Sequence, residues 1–125
     1  MSQPPAPLRT DIAVIGAGPV GLFAVFECGM LKMRCHVFDA LDAPGGQLTA
    51  LYPEKPIFDI PGYPRIDAAA LVERLLEQAQ PFHPAFHLGQ QVTGLTPTAD
   101  GGFRIGTSAG TVVEARAVLI AAGAG

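Results

Sequence analysis

The stretch Asp11-Ile12-Ala13-Val14-Ile15-Gly16-Ala17-Gly18-Pro19-Val20-Gly21 decides the fold. Asp11 to Ile15 is short, almost wholly apolar, β-branched and stopped by glycine, which predicts a buried strand. Gly16 to Gly21 form a turn. Pro19 stands where a first helical turn tolerates proline, because its missing N–H has no helical partner there. Val20 to about Met30 is apolar nearly all round and predicts a helix buried against a sheet. Arg34 to Phe38 predicts a second strand, closed by Asp39. Strand, helix, strand makes a parallel βαβ unit with a right-handed crossover.

The turn has the pattern GxGxxG, which carries weight only in this context. A buried strand precedes it, a helix follows, and an acid ends the next strand 18 residues beyond Gly21. Each position has a physical task in dinucleotide binding. Gly16 permits the tight turn, Gly18 lets the backbone approach a pyrophosphate, and Gly21 lets the helix pack close to the strand. The helix start offers free N–H groups and partial positive charge to the phosphates. Asp39 can accept hydrogen bonds from ribose hydroxyls, and its charge would repel a 2′-phosphate. The expected ligand is therefore FAD or NAD, not NADP.

Working outward, Ala40 to Arg65 is rich in proline and glycine and predicts a long loop with short ordered pieces near Gln47–Leu51 and Ile57–Ile60. Loops this long in a small domain are often functional. Asp67 is expected to cap a helix running to about Gln80, with Leu71, Leu75 and Leu76 on one face and Glu73, Arg74 and Glu77 elsewhere. Pro81 and Pro84 would stop it. From Phe86 the hydrophobic period changes to two. Phe86–Thr96, Phe103–Thr107 and Thr111–Ala115 predict three antiparallel strands, with turns at Asp100-Gly101-Gly102 and Ser108-Ala109-Gly110. Ala117–Ala122 is fully apolar and should return to the parallel sheet. The predicted class is α/β: a Rossmann-like domain with a parallel βαβ sheet and a three-stranded antiparallel meander. A simple NAD domain would continue with another βα repeat, so the meander favours FAD.

Composition excludes several other classes. The chain has 125 residues, 49% hydrophobic and 15% charged, unlike a disordered tail. Net charge is −3 with a pI of about 5.4, so there is no basic footprint for nucleic acid or an anionic membrane. Ile12 to Phe26 is the longest apolar stretch, and Gly16, Gly18, Pro19 and Gly21 break it well short of the roughly 20 residues of a membrane span. No secretory leader is recognisable. A cytoplasmic location is the expectation, and two cysteines, Cys28 and Cys35, fit a reducing compartment. They are expected to be inert packing thiols. His83 and His87 have a metal-like spacing, but Pro81 and Pro84 prevent the helix that would align them, so no metal site is expected. His36 is expected to pack within its strand. Residues 1–8 are expected to form a flexible, proline-rich tail. The apolar run ending at Gly125 suggests a fragment, with residues 9–125 an incomplete domain.

Three segments together resemble a known family. They are Ile15-Gly16-Ala17-Gly18-Pro19-Val20-Gly21-Leu22, Gly45-Gly46-Gln47-Leu48-Thr49-Ala50-Leu51-Tyr52-Pro53-Glu54-Lys55, and Phe58-Asp59-Ile60-Pro61-Gly62-Tyr63-Pro64. The whole is similar to the thioredoxin-reductase-like class of ferredoxin/flavodoxin–NADP reductases. Thioredoxin reductases share Gly-Gly-Gln-Leu but not Leu-Tyr-Pro-Glu-Lys. The resemblance spans Asp11 to Gly125 and implies the N-terminal part of a flavin domain. The inserted NADP-binding domain and the C-terminal flavin segment would then lie outside this chain.

The resemblance also implies roles. Asp39 would hold the adenosine ribose, Gln47 would hydrogen-bond near the flavin, Tyr52 would stack on the isoalloxazine, and Val92 would contact adenine through its backbone. No catalytic side chain is expected here. FAD would be the cofactor and NADP a substrate, with ferredoxin or flavodoxin as partner in a homodimeric protein. Two alternatives remain open: a thioredoxin reductase-type flavin disulfide reductase, distinguished by a CxxC outside this chain, and a non-catalytic nucleotide-binding fragment.

Overall fold

The computed structural model describes residues 6–123; positions 1–5 of the expected tail, and Ala124 and Gly125, lie outside the described residues. Strand β1 (Leu8–Ile15) leads into helix α1 (Pro19–Met30), and β2 (Cys35–Asp39) follows. Pro19 occupies the first helical turn with Gly18 as N-cap. β1 and β2 pair in parallel, Ile12 opposite Cys35 and Ile15 opposite Phe38, completing the expected βαβ unit. β1 begins earlier than the sequence pattern indicates. Leu8, assigned to the tail, is in the strand and pairs with Val113.

The long loop contains a short helix α2 (Gly46–Leu51) and a two-residue strand β3 (Pro56–Ile57), which pairs with β4 (Ile66–Asp67). Helix α3 (Ala68–Ala79) starts directly after Asp67. Asp67 stands at the N-cap, but its side chain makes no capping hydrogen bond. Backbone carbonyls serve instead: Ala68 N–H donates to Lys55 O at 3.0 Å and Ala69 N–H to Pro53 O at 2.9 Å. The Asp67 carboxylate faces Arg65 at 4.0 Å. The α-helix ends at Ala79 with Gln80 as its C-cap, as expected, and Gln80–Phe82 add one turn of 3₁₀ helix that holds Pro81. Leu71 and Leu75 are buried with Leu22 and Ile66, and Leu76 packs partly buried against them.

Two expectations for the second half are corrected. Phe86–Thr96 is two strands, β5 (Ala85–Leu88) and β6 (Val92–Pro97). β5 pairs in parallel with β2, whereas β6 pairs antiparallel with β7 (Phe103–Thr107). Gly89, with φ +65°, makes the break. Conversely, the segments Thr111–Ala115 and Ala117–Ala122 form one strand, β8 (Val112–Ile120). β8 is antiparallel to β7 along Val112–Ala115 and parallel to β1 from Val113 to Ile120.

The sheet order is therefore β5-β2-β1-β8-β7-β6. β5 and β6 stand at opposite edges, yet only Gly89, Gln90 and Gln91 join them. Six flat strands would separate the edges by about 24 Å, and four Cα steps reach only about 14 Å. The meander must therefore fold over one face of the parallel part. The packing agrees: Ala13 and Phe38 of the parallel strands share a core with Ile105, Val113 and Ala115 of the meander. The other face packs Val14 and Val37 against Val25 of α1 and Ala79 of α3.

Candidate functional site

β1 has its helical crossover to β2 on one side and β8 on the other, so the strand order switches at its carboxyl end. In open α/β sheets ligands bind in the crevice at such a switch point. Gly16 is the first residue beyond β1. Its φ is +115°, and an added Cβ would overlap the Ala121 carbonyl beyond β8. Its N–H donates to Phe38 O at 2.7 Å. Gly21, one turn into α1, faces inward, where a Cβ would overlap the Gly16 carbonyl oxygen. These two glycines are demanded by the chain's own packing.

Gly18 differs. Its φ of −77° is ordinary. The nearest atom to an added Cβ is Gly45 O at 4.0 Å. Among the described residues nothing obstructs a Cβ there, so the bare backbone leaves space in front of the helix start. Pro19 has no N–H, and helix geometry leaves those of Gly18, Val20 and Gly21 without an i−4 carbonyl. The segment before α2 closes on this turn, with Gly45 N–H donating to Ala17 O at 2.7 Å.

Asp39 ends β2 beside the turn. Its Oδ2 accepts from Ala17 N–H at 2.8 Å and its Oδ1 from Leu41 N–H at 2.9 Å. The carboxylate thus ties the glycine turn to the loop after β2, a task that spacing alone does not indicate. Each oxygen keeps a further lone pair for a hydroxyl.

A cleft of about 330 Å³ opens here, and Gly16, Asp39, Gln47 and Val92 all line it. Gln47 lies in the first turn of α2. Val92 begins β6 opposite Thr107, next to a register shift of the kind that redirects a strand. Tyr52 is not brought in: it stands at the C-terminal end of α2, 60% exposed, outside the lining. Gly18 and Gly21 also lie outside it.

Gln90 and Gln91 line the cleft and went unrecognised in the sequence. Gln90 N–H donates to Asp39 O at 3.0 Å, and its Oε1 accepts from Thr107 and Thr111 hydroxyls, each at 2.7 Å. Gln91 N–H donates to Ser108 Oγ at 3.0 Å. Together they fasten the meander to the end of β2. The signal was local: Gly89-Gln90-Gln91 interrupts an apolar run with two amides after a glycine.

A wider groove, about 590 Å³, lies at the other end of β1. Arg9, Arg34 and Arg116 line it with Asp11, Asp100 and Glu114, so basic residues scattered in sequence do gather in space. Glu114 already faces Arg9 at 3.9 Å and Arg104 at 3.5 Å. This groove is polar and internally compensated, and it lacks the glycine turn. Size alone does not make it the site.

Cys35 is buried beside Cys28; burial first, then the neighbouring sulfur and the Asp11 charge, push its thiol up to about 12. A thiol that stays protonated is a poor nucleophile. No helix among the described residues is long and apolar enough to cross a membrane.

No family model matches the chain. Among curated proteins, it is 66% identical to a ferredoxin–NADP reductase of Rhodospirillum rubrum, covering 100% of this chain and 37% of that protein. It is 64% identical to the corresponding protein of Paramagnetospirillum magneticum, covering 94% of this chain and 35% of the relative. A thioredoxin reductase structure from Streptococcus pyogenes superposes with a TM-score of 0.80 at 24% identity, over 94% of this chain and 36% of that one, a likeness of fold. The chain thus spans a little over a third of these proteins, and its resemblance to ferredoxin–NADP reductases, read from the glycine turn and the Leu51–Lys55 segment, is borne out by relatives at 55–66% identity.

Proposed function

We propose that residues 9–125 are the part of a ferredoxin–NADP(+) reductase that holds the ADP half of FAD. The observation that carries this reading is Gly18, a glycine at a helix start with no packing reason to be one. The pyrophosphate would lie against the Gly18 and Val20 amides, where the helix dipole favours anions. Gly16 and Gly21 would shape the turn. Asp39 would accept from the ribose hydroxyls while holding Ala17. Val92 would present backbone N–H and C=O groups to adenine, and Gln47, with amide donors and an acceptor, would reach the flavin side. Tyr52 would stack on the isoalloxazine only after the segment around α2 rearranges, because it stands outside the cleft.

When bound, FAD would supply the redox chemistry: single electrons from ferredoxin or flavodoxin, and a hydride to NADP⁺. The chain's own contribution is binding, orientation and electrostatics. The ferredoxin relatives at 66% and 64% identity support this activity over a disulfide reductase, whose structural likeness here rests on fold. The complete polypeptide would be a cytoplasmic homodimer.

The test on this chain is a titration followed by amide NMR. ADP and FAD are expected to shift Gly18, Val20 and Val92, and FMN, which lacks the adenosine half, to leave them in place. Shifts confined to the arginine groove would overturn the assignment. For the complete polypeptide, NADPH-driven reduction of ferredoxin without disulfide reduction is the expected activity; the reverse would establish the alternative.

A further inference from the structure

Gln90 is the middle residue of Gly89-Gln90-Gln91, the link between β5 and β6. Its backbone and its side chain hold different parts of the molecule. Through the backbone, its N–H donates to the Asp39 carbonyl at 3.0 Å, at the end of β2. Through the side chain, its Oε1 accepts from the Thr107 and Thr111 hydroxyls of the meander, each at 2.7 Å. Thr107 is the register partner of Val92 and the one buried polar residue among those described. Gln91 adds two bonds to Ser108, yet it is Gln90 that bonds to β2 as well.

The network fixes which end of the carboxamide faces the threonines. Thr107 Oγ1 accepts from the Ala109 and Thr111 N–H groups, both at 3.3 Å. With its two lone pairs so engaged, the hydroxyl has its proton left to offer, and the atom that receives it must be the amide oxygen. That oxygen has two lone pairs, one for each hydroxyl. The turn between β7 and β8 is closed without Gln90: Thr107 N–H donates to Thr111 O and Gly110 N–H to Thr107 O, each at 3.0 Å. Gln90 therefore clips a preformed turn to the end of β2.

We propose that Gln90 is a positioning residue for the adenosine half of the nucleotide, setting the spacing between Asp39 and Val92 so that one ligand can meet both. The inference rests on the nucleotide reading of the cleft given above. Asp39 ends β2 and Val92 begins β6, and these strands do not pair with each other. A ribose on Asp39 and a base edge on Val92 are joined by a single glycosidic bond. Drift between the two residues would forfeit one contact or the other, and a fixed spacing removes that ordering cost. Gln90 bridges the gap within one residue and acts through Asp39 and Val92. Neither threonine lines the cleft. The helix start that would take the pyrophosphate is held by other bonds, Leu22 N–H to Gly18 O and Gly45 N–H to Ala17 O. The role is thereby confined to the adenosine end.

The experiment measures ADP and inorganic pyrophosphate binding to this chain by amide NMR titration. Gln90→Met keeps the length of the side chain and removes the amide. It should weaken ADP about tenfold and leave pyrophosphate within about twofold, with Gly18 and Val20 still responding to pyrophosphate. Thr111→Val removes one hydroxyl outside the cleft and should weaken ADP about threefold, whereas Thr111→Ser, which keeps the hydroxyl, should bind ADP normally. In the Gln90→Met background Thr111→Val should have no further effect on ADP, because both act through one bond. A merely structural role would lower stability in urea without changing the ratio of ADP to pyrophosphate affinity. Unchanged ADP affinity in Gln90→Met, or an equal loss for both ligands, would overturn the inference. If Gln90→Met folds poorly, equal ADP affinity in Thr111→Val and Thr111→Ser would overturn it instead. No response of Gly18 and Val20 to ADP in the unsubstituted chain would overturn the nucleotide reading itself, and the inference with it.

Discussion

The two ends of strand β1 present contrasting surfaces. At the carboxyl end, beyond Ile15, the cleft is lined by Gly16, by the Asp39 carboxylate already engaged by Ala17 and Leu41, and by the uncharged Gln47, Gln90 and Gln91, while the open amides of Gly18 and Val20 stand outside that lining. At the amino end, around Arg9 and Asp11, the groove is larger and rich in charged side chains that largely answer one another. Selective binding follows from donors held in place by the fold, whereas long exposed side chains in mutual salt bridges offer less. The proposed nucleotide site therefore rests on backbone geometry and not on cavity volume.

The sharpest way to break that contrast is at Gly16 and Gly21. Gly16→Ala drives a methyl into the Ala121 carbonyl at a positive φ, and Gly21→Ala into that of Gly16. Each should destabilise the chain by about 3 kcal/mol or more in urea unfolding, regardless of ligand. Gly18→Ala separates binding from stability. It should shift stability by less than about 1 kcal/mol, since its φ is ordinary, yet weaken ADP binding by about tenfold or more. Equal loss of stability at Gly18 would mean that it, too, serves only packing.

Asp39→Ala should cost about 1–2 kcal/mol, the loss of two charge-assisted backbone contacts. Acidification tests the histidine pair formed by His36 on β2 and His87 on β5, whose Nδ1 and Nε2 are 2.8 Å apart. Both rings titrate below 6.5 in the folded chain, so the unfolded chain binds more protons in that window. Stability should fall as pH drops below about 6.5, levelling once both folded-state values are passed; His36→Gln with His87→Gln should flatten the curve. At the other end of β1, Arg104→Ala should change stability by about 0.5 kcal/mol or less, because its guanidinium is exposed and Glu114 keeps Arg9 as a partner.

The βαβ unit and its turn were legible because their signals are local. An apolar run, three glycines and an acid at fixed spacing leave few backbone paths. The α2 helix was legible as a short ordered piece, for the same reason. Phe86–Thr96 misled because the apolar positions on either side of Gly89 keep a plausible alternation, and only long-range pairing shows that β5 and β6 belong to different edges. Thr111–Ala115 and Ala117–Ala122 misled in the opposite sense: a change in polarity suggests two strands, but β1 supports one without interruption. Within the cleft, Gly16 and Asp39 were accessible from spacing. Gln90 was not, since its value lies in hydroxyl partners 17 and 21 residues away. The histidine pair, 51 residues apart, was hidden likewise.

Strand β8 couples the fates of both halves. Val113 to Ala115 are held by β1 on one side and β7 on the other, so the meander has no boundary along which to detach while the parallel sheet stays whole. Amide exchange should therefore report one shared opening event across Val14, Ile105 and Val113. A single-residue slip of β8 would turn Val113 and Ala115 outward and disrupt both layers at once, which makes this strand the molecule's common clasp.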